Sequence, residues 1–163
     1  MRLSTKGAKF IAREEGMILH PYNDPVGYAT VGIGHLLHRS RVTLLDKIRW
    51  ARFRQADAYK LLQKDAERFA EPLRRHAALR HWNLTQAQFD ALVSFSFNVG
   101  TGWLKGSTLE RVLTDAARHK HRPSPSAVKA AMLMWSKAGG RTLVGLRQRR
   151  AREAKLFSYG RYS

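Results

Sequence analysis

Three side chains near the N-terminus have the types and spacing that acid–base chemistry uses: Glu15, Asp24 and Thr30. One carboxylate closes a helical segment, a second follows nine residues later in a turn, and a hydroxyl comes six residues after that. Glycoside hydrolysis needs such a set. One carboxylic acid donates a proton to the leaving oxygen, while a second group steers water or stabilises developing positive charge on the other side of the sugar. A carboxyl at the C-terminal end of a helix meets the negative end of the helix dipole, a setting that suits the acid of the pair. Glu and Asp are common surface residues, so the spacing alone also fits ordinary solvated charge.

The elements that must position these residues are legible around them. Lys6 to Glu15 reads as a short helix with Gly16 as its left-handed cap. From Met17 to His35 the chain turns to Gly, Pro, Asn, Asp and aromatic residues, as a small sheet with tight turns does. Asn23-Asp-Pro-Val-Gly27 is a turn signal, and the stretch Tyr28 to Gly34 alternates as a strand with Tyr28, Thr30 and Gly32 on one face. From Thr43 onward the pattern is helical. Leu61, Leu62, Ala66 and Phe69 mark the stripe of a long helix, which Pro72 should kink or stop. Thr85 and Gln88 form a capping box ahead of an apolar, central helix that stops at Gly100. Ser107 or Thr108 starts the next helix. Ser126 caps another that ends at Gly139-Gly140, and a last one runs from Val144 to Phe157. The sum is an α+β fold with a small N-terminal lobe and a mainly helical lobe after it.

Glu15-Gly16, Tyr22-Asn-Asp24 and Gly27-Tyr-Ala-Thr30-Val-Gly-Ile-Gly-His35 closely resemble the signature of the phage-type lysozymes, glycoside hydrolase family 24. The likeness continues through Gln88-Phe-Asp-Ala-Leu-Val-Ser-Phe95, Phe97-Asn-Val-Gly100, Ser107-Thr-Leu109, Gly139-Gly140, Gly145-Leu146 and Arg149-Arg150, nearly the whole chain. The resemblance implies a two-lobed lysozyme fold made of one domain over 1–163. An α/β lobe is expected at about 12–60, a helical lobe from 1–11 and 75–163, an inter-lobe helix at about 60–75, and a cleft between the lobes. It implies a catalytic triad of Glu15, Asp24 and Thr30 acting on peptidoglycan. Glu15 protonates the oxygen bridging N-acetylmuramic acid and N-acetylglucosamine. Asp24 and Thr30 hold the attacking water, or Asp24 stabilises an oxocarbenium-like centre; the two alternatives differ in carboxyl separation.

By the same resemblance Leu36, Phe97 and Thr108 match substrate-contact positions, although plain core packing suits Phe97 as well. His35 is expected to pair with Asp65 on the long helix and tie the lobes together, contributing stability rather than chemistry. No metal and no cofactor are implied. His119 and His121 in a basic loop suggest a metal, but no third ligand is apparent beside them.

Composition frames these expectations. Thirty basic residues against twelve acidic ones give a net charge of +18, which attracts polyanions. A nucleic-acid-binding protein is therefore a rival, but no recognition-helix, RNA-motif or zinc-finger pattern accompanies the charge. A lytic transglycosylase is the other rival, using one Glu without water; Asp24 and Thr30 beside Glu15 favour hydrolysis. Asp46 to Lys60 reads as a basic helix carrying Trp50, Phe53 and Tyr59. Contact with anionic lipid or lipopolysaccharide is one reading of it, and a helix with aromatic core contacts and a solvated charged face is the preferred one. Cysteine is absent, which suits synthesis in a reducing cytosol. The expectation is a monomeric endolysin made in the host cytoplasm without a signal peptide and released to act on the cell wall.

Overall fold

The computed structural model describes residues 1–162. The elements run α1 (Thr5–Glu15), β1 (Ile18–Asn23), β2 (Ala29–Gly32), β3 (His35–His38), α2 (Leu44–Arg49), α3 (Gln55–Leu79), α4 (Gln86–Val99), α5 (Thr108–Arg118), α6 (Pro125–Leu133), β4 (Lys137–Ala138), β5 (Arg141–Thr142) and α7 (Val144–Tyr159). They form two compact units, Ala8–Ala66 and Met1–Gly7 with Glu67–Ser163. The unit boundaries therefore fall inside α1 and α3 rather than in loops.

The first unit holds a three-stranded antiparallel sheet in the order β1-β2-β3. Thr30 stands opposite Tyr22 on one side and Leu36 on the other, so these three side chains form one row across the sheet. The expected alternation along Tyr28–Gly34 gives way to a strand of only Ala29–Gly32, all four residues buried. An irregularity in the β2–β3 register between Ala29 and Thr30 breaks the two-residue period there. Phe10, Ile11 and Ala12 of α1, Val31 and Ile33, and Ala58, Leu62 and Ala66 of α3 are buried and make this unit's core.

The basic segment expected as one helix over Asp46–Lys60 is in fact two. Helix α2 ends at Arg49, a turn follows, and α3 begins at Gln55. Thr43 N-caps α2 in a reciprocal capping box with Asp46, a signal equal to that at Thr85 and overlooked in the sequence. Phe53 N–H closes the turn onto the Trp50 carbonyl at 3.1 Å.

The other unit is helical. Phe89, Leu92 and Phe95 of α4 are fully buried against α7, and α6 packs on α7 as well. Trp103 lies edge-on to Phe95 and stacks on Trp82, its indole N–H donating to Ser96 Oγ at 2.9 Å. Pro72 does not stop α3: the helix runs 25 residues and continues past it. One missing N–H is tolerated where Ala66, Ala70, Leu73 and Ala77 bury the same stripe. Helix α6 starts two residues earlier than expected, with Ser124 as N-cap and Pro125 at its first position, and it ends at Leu133 rather than at the glycines. Gly139 and Gly140 instead turn the β4–β5 hairpin, at φ 55° and 77°. Two consecutive left-handed residues are the demand of a two-residue hairpin turn, which glycine meets without strain.

Candidate active site

The hairpin between β1 and β2 builds a carboxylate with one oxygen fixed and one open. Asp24 Oδ1 accepts the backbone N–H of Val26 at 2.9 Å and of Tyr28 at 2.8 Å. Its own N–H donates to the Tyr28 carbonyl at 2.9 Å, and Gly27 N–H closes the turn onto the Asp24 carbonyl at 2.8 Å. Among the described residues, no donor meets Oδ2. An Asx turn of this kind is what Asp followed by Pro and Gly favours.

Thr30 joins the same chain of contacts. Its hydroxyl, in a residue only 4% exposed, donates to the Tyr28 carbonyl at 3.2 Å. That bond spends the hydroxyl's proton on the backbone and leaves lone pairs to accept another. Asp24, Tyr28 and Thr30 are thus one hydrogen-bonded assembly. Tyr22, opposite Thr30 on β1, is pushed above the ordinary phenol value by burial and, secondarily, by the Asp24 charge.

Glu15 is the last residue of α1 and is exposed. Gly16 N–H returns to the Ala12 carbonyl at 2.9 Å, and Gly16 at φ 81° takes the left-handed conformation that ends the helix there. Three residues on, Ile18 opens β1 opposite Gly32 of the strand that carries Thr30. All three members of the expected triad therefore belong to the unit Ala8–Ala66.

The polar supports of this sheet extend beyond the expected residues. His35 Nδ1 lies 2.7 Å from Asp65 Oδ2, linking β3 to α3 within the same unit rather than one unit to the other. His38 stands between Ser40 Oγ, 2.8 Å from its Nδ1, and Asp46 Oδ2, 3.0 Å from its Nε2. Hydrogen bonds from the Thr43 hydroxyl and backbone, then from His38, hold Asp46 well below the ordinary carboxylate range, at about 2. Asn23 Oδ1 accepts Val42 N–H at 2.8 Å and pins the far end of the same loop. Sequence reasoning passed over His38, Asp46 and Asn23; only the Thr43–Asp46 spacing announced any of them.

The remaining expected contact residues are divided. Leu36 is exposed on β3 directly opposite Thr30. Phe97 and Thr108 lie in the helical unit. Phe97 is half-buried with its ring 5.3 Å from Phe69, and Thr108 is the first residue of α5, with its hydroxyl 3.4 Å from Arg111 Nη2. His119 and His121 do have a third donor beside them, Asp115, one turn back on α5. Ligand atoms of the three lie within 4.8 Å of one another, all on exposed side chains. Asp115 and His119 stand four residues apart across the end of α5, a helical spacing the sequence already offered, and the left-handed Lys120, at φ 54°, brings His121 beside them.

A short sheet bearing a fixed carboxylate and hydroxyl, preceded by a helix that ends on Glu, followed by a helical unit, defines a lysozyme-like α+β fold. Comparison with solved structures agrees. The endolysin from Escherichia coli O157:H7 phage FAHEc1 superposes with a TM-score of 0.75 over 100% of this chain and 97% of that one, at 28% identity. The endolysin of Bacillus phage B103 is 35% identical over 167 residues, covering 98% of this chain and 55% of that protein. That of Salmonella phage P22 is 31% identical over 157 residues, covering 96% of this chain and 98% of that protein. The chain thus spans just over half the length of the Bacillus phage relative and nearly all of the Salmonella phage one. The family model "Phage lysozyme" matches residues 12–153, and the chain belongs to the phage lysozyme family.

Proposed function

We propose that this chain is a glycoside hydrolase that cleaves the β-1,4 bond between N-acetylmuramic acid and N-acetylglucosamine in bacterial peptidoglycan. The observation that carries the reading is the Asp24–Tyr28–Thr30 assembly. Its carboxylate is oriented through one oxygen, its other oxygen meets no donor among the described residues, and it is one backbone group from a hydroxyl whose proton is spent on the Tyr28 carbonyl. Glu15 protonates the bridging oxygen as the sugar bond breaks. Asp24 Oδ2 and Thr30 Oγ1 hold the water that attacks, or Asp24 steadies the positive charge that develops at the sugar carbon.

Family membership supports the same reading, since the Salmonella phage P22 endolysin matches 96% of the chain. Peptidoglycan is then the substrate, with Leu36, Phe97 and Thr108 as glycan contacts, and host cell lysis the outcome. The protein acts as a monomer, made in the host cytoplasm and working on the cell wall after release. Among the described residues no helix is long and apolar enough to cross a membrane.

Mass analysis of fragments released from purified peptidoglycan tests the proposal. Reducing-end N-acetylmuramic acid from the wild type, and none from Glu15→Gln, is the expected result. Anhydro sugar ends would move the chain to the lytic transglycosylases, and an active Glu15→Gln would overturn the assignment of the acid.

A further inference from the structure

Helix α2 buries none of its residues. Leu44, Leu45 and Ile48 are 73%, 76% and 63% exposed, and their spacing puts them on one stripe. Single exposed leucines are ordinary, but three adjoining ones on a six-residue helix are a patch.

The helix is held from its other side, and by polar contacts. Asp46 reaches His38 and closes the capping box with Thr43. One turn later Trp50 packs edge-on against Phe53, with ring centroids 5.0 Å apart, and lies 6.3 Å from the His35 ring. Asp46 and Trp50 thus face the fold, and the Leu44–Ile48 stripe faces away. Nothing in the folding of α2 requires that stripe to be apolar.

Cations flank it along the chain. Arg39, Arg41, Lys47, Arg49, Arg52 and Arg54 are all exposed, and among the described residues none of their side chains has an acidic partner. The neighbouring carboxylates are already committed, Asp46 to Thr43 and His38, and Asp57 to the Arg54 backbone N–H at 3.0 Å.

We propose that this face, Leu44, Leu45 and Ile48 flanked along the chain by exposed cations, docks on an anionic phospholipid bilayer. Charge complementarity selects that occupant. A second copy of the chain would bring the same six cations against themselves on a molecule already at +18. A bare polyanion would satisfy the cations but leave the leucines in water. A bilayer interface satisfies both, with phosphates taking the arginines and the acyl boundary taking the apolar side chains. Two weak signals, charge and shallow insertion, together give the stable surface binding that neither gives alone.

The test is co-sedimentation with vesicles of phosphatidylglycerol mixed with phosphatidylcholine, and with vesicles of phosphatidylcholine alone. The variant Leu44→Ser, Leu45→Ser, Ile48→Ser keeps every charge and touches only exposed side chains. Its partitioning to anionic vesicles should fall about tenfold, given the transfer preferences of three such side chains. Its melting temperature and its action on purified peptidoglycan should stay unchanged. Arg49→Gln, Arg52→Gln, Arg54→Gln should lose more binding than Lys105→Gln, Arg122→Gln, Arg141→Gln, which removes equal charge elsewhere. Unchanged binding by the serine variant, or equal losses from the two charge variants, would overturn the proposal, leaving only diffuse adsorption. So would a wild-type dimer that the serine variant abolishes, because the patch would then be a self-interface. Vesicle binding is read without any hydrolysis, so its failure is separable from failure of the proposed activity.

Discussion

Asp24 and Tyr28 hold each other by two opposed backbone-directed bonds: Tyr28 N–H donates to Asp24 Oδ1 at 2.8 Å, and Asp24 N–H donates to the Tyr28 carbonyl at 2.9 Å. The second acceptor in that exchange, the Tyr28 carbonyl, also receives the Thr30 hydroxyl. One residue thus fixes both a carboxylate and a hydroxyl, and the turn sequence between them serves the site as much as the fold.

Separating these two roles is straightforward at Asp24. Asp24→Asn keeps an oxygen for the Val26 and Tyr28 N–H groups and should leave stability nearly unchanged. It removes the charge, and turnover on peptidoglycan should fall about 10²–10⁴-fold if the carboxylate acts on the reacting centre. Asp24→Ala also loses both hydrogen bonds and should cost roughly 1–3 kcal/mol in chemical denaturation. Removing the charge should bring the Tyr22 phenol closer to its ordinary value, a shift readable by NMR titration. An active asparagine variant paired with an inactive alanine one would make Asp24 a positioning residue only.

The cap of α2 should show itself in acid. Asp46 titrates near 2 when folded, against an ordinary value of 3.8, so its contribution is present above 3.8 and lost as pH falls through about 2. Thr43→Ala removes the largest cause of that depression. The Asp46 carboxyl carbon should then titrate closer to 3.8 by NMR, and amide exchange across Leu44–Arg49 should quicken. An unmoved Asp46 titration would mean that the backbone N–H of residue 43 and His38 set it without the hydroxyl.

Much of this arrangement was legible from residue types, and the exceptions share a cause. Glu15, Asp24 and Thr30 sit where turn and cap chemistry is local: a helix closed by Gly16, an Asx turn on Asp24, a strand after Tyr28. The Thr85 capping box was equally local, with Thr85 Oγ1 receiving Gln88 N–H as read. What escaped the sequence is close by in the chain as well, but is decided by which side chains pack and where the chain reverses, which residue types alone do not state. The break between α2 and α3 is fixed by Trp50 and Phe53 meeting each other instead of prolonging a helix, in a stretch whose propensity favours helix throughout. Passage of α3 through Pro72 is decided by burial of Leu73 and Ala77. Asp115 and His119 already stand at helical spacing, and it is the approach of His121 that depends on the reversal at Lys120.

A buried ionic cluster in the helical unit predicts a large stability effect away from the site. Glu153 is fully buried on α7, 3.2 Å from Arg149 Nε and 3.1 Å from Arg150 Nε, and accepts the Ser94 hydroxyl at 2.8 Å. Burial pushes the Glu153 carboxyl upward, and the two guanidinium groups oppose it. Arg150 is itself fully buried, over the Phe95 ring and bonded to Asn98 Oδ1 at 2.8 Å. Glu153→Ala leaves two buried cations facing each other and should cost about 3–5 kcal/mol. By calorimetry that is a drop of roughly 10 °C for a chain of this size. A loss below about 1 kcal/mol would mean that water reaches the arginines.

Alkaline stability should depend on Tyr162. Its hydroxyl donates to Asp90 Oδ2 at 2.7 Å, and Asp90, fully buried on α4, also accepts from Ser4 and Gln86. Burial, then the Asp90 hydrogen bond and charge, raise the Tyr162 phenol from 10.0 to about 12. A folded value above the unfolded one means the proton is held more tightly in the native state. The stabilisation is therefore complete below pH 10 and is lost as pH rises through 12. Tyr162→Phe keeps the ring but has no proton to lose. It should be less stable than wild type at neutral pH, with a difference that shrinks across pH 10–12 when both are unfolded by urea. Parallel stability curves over that interval would show that Tyr162 does not hold its proton through Asp90.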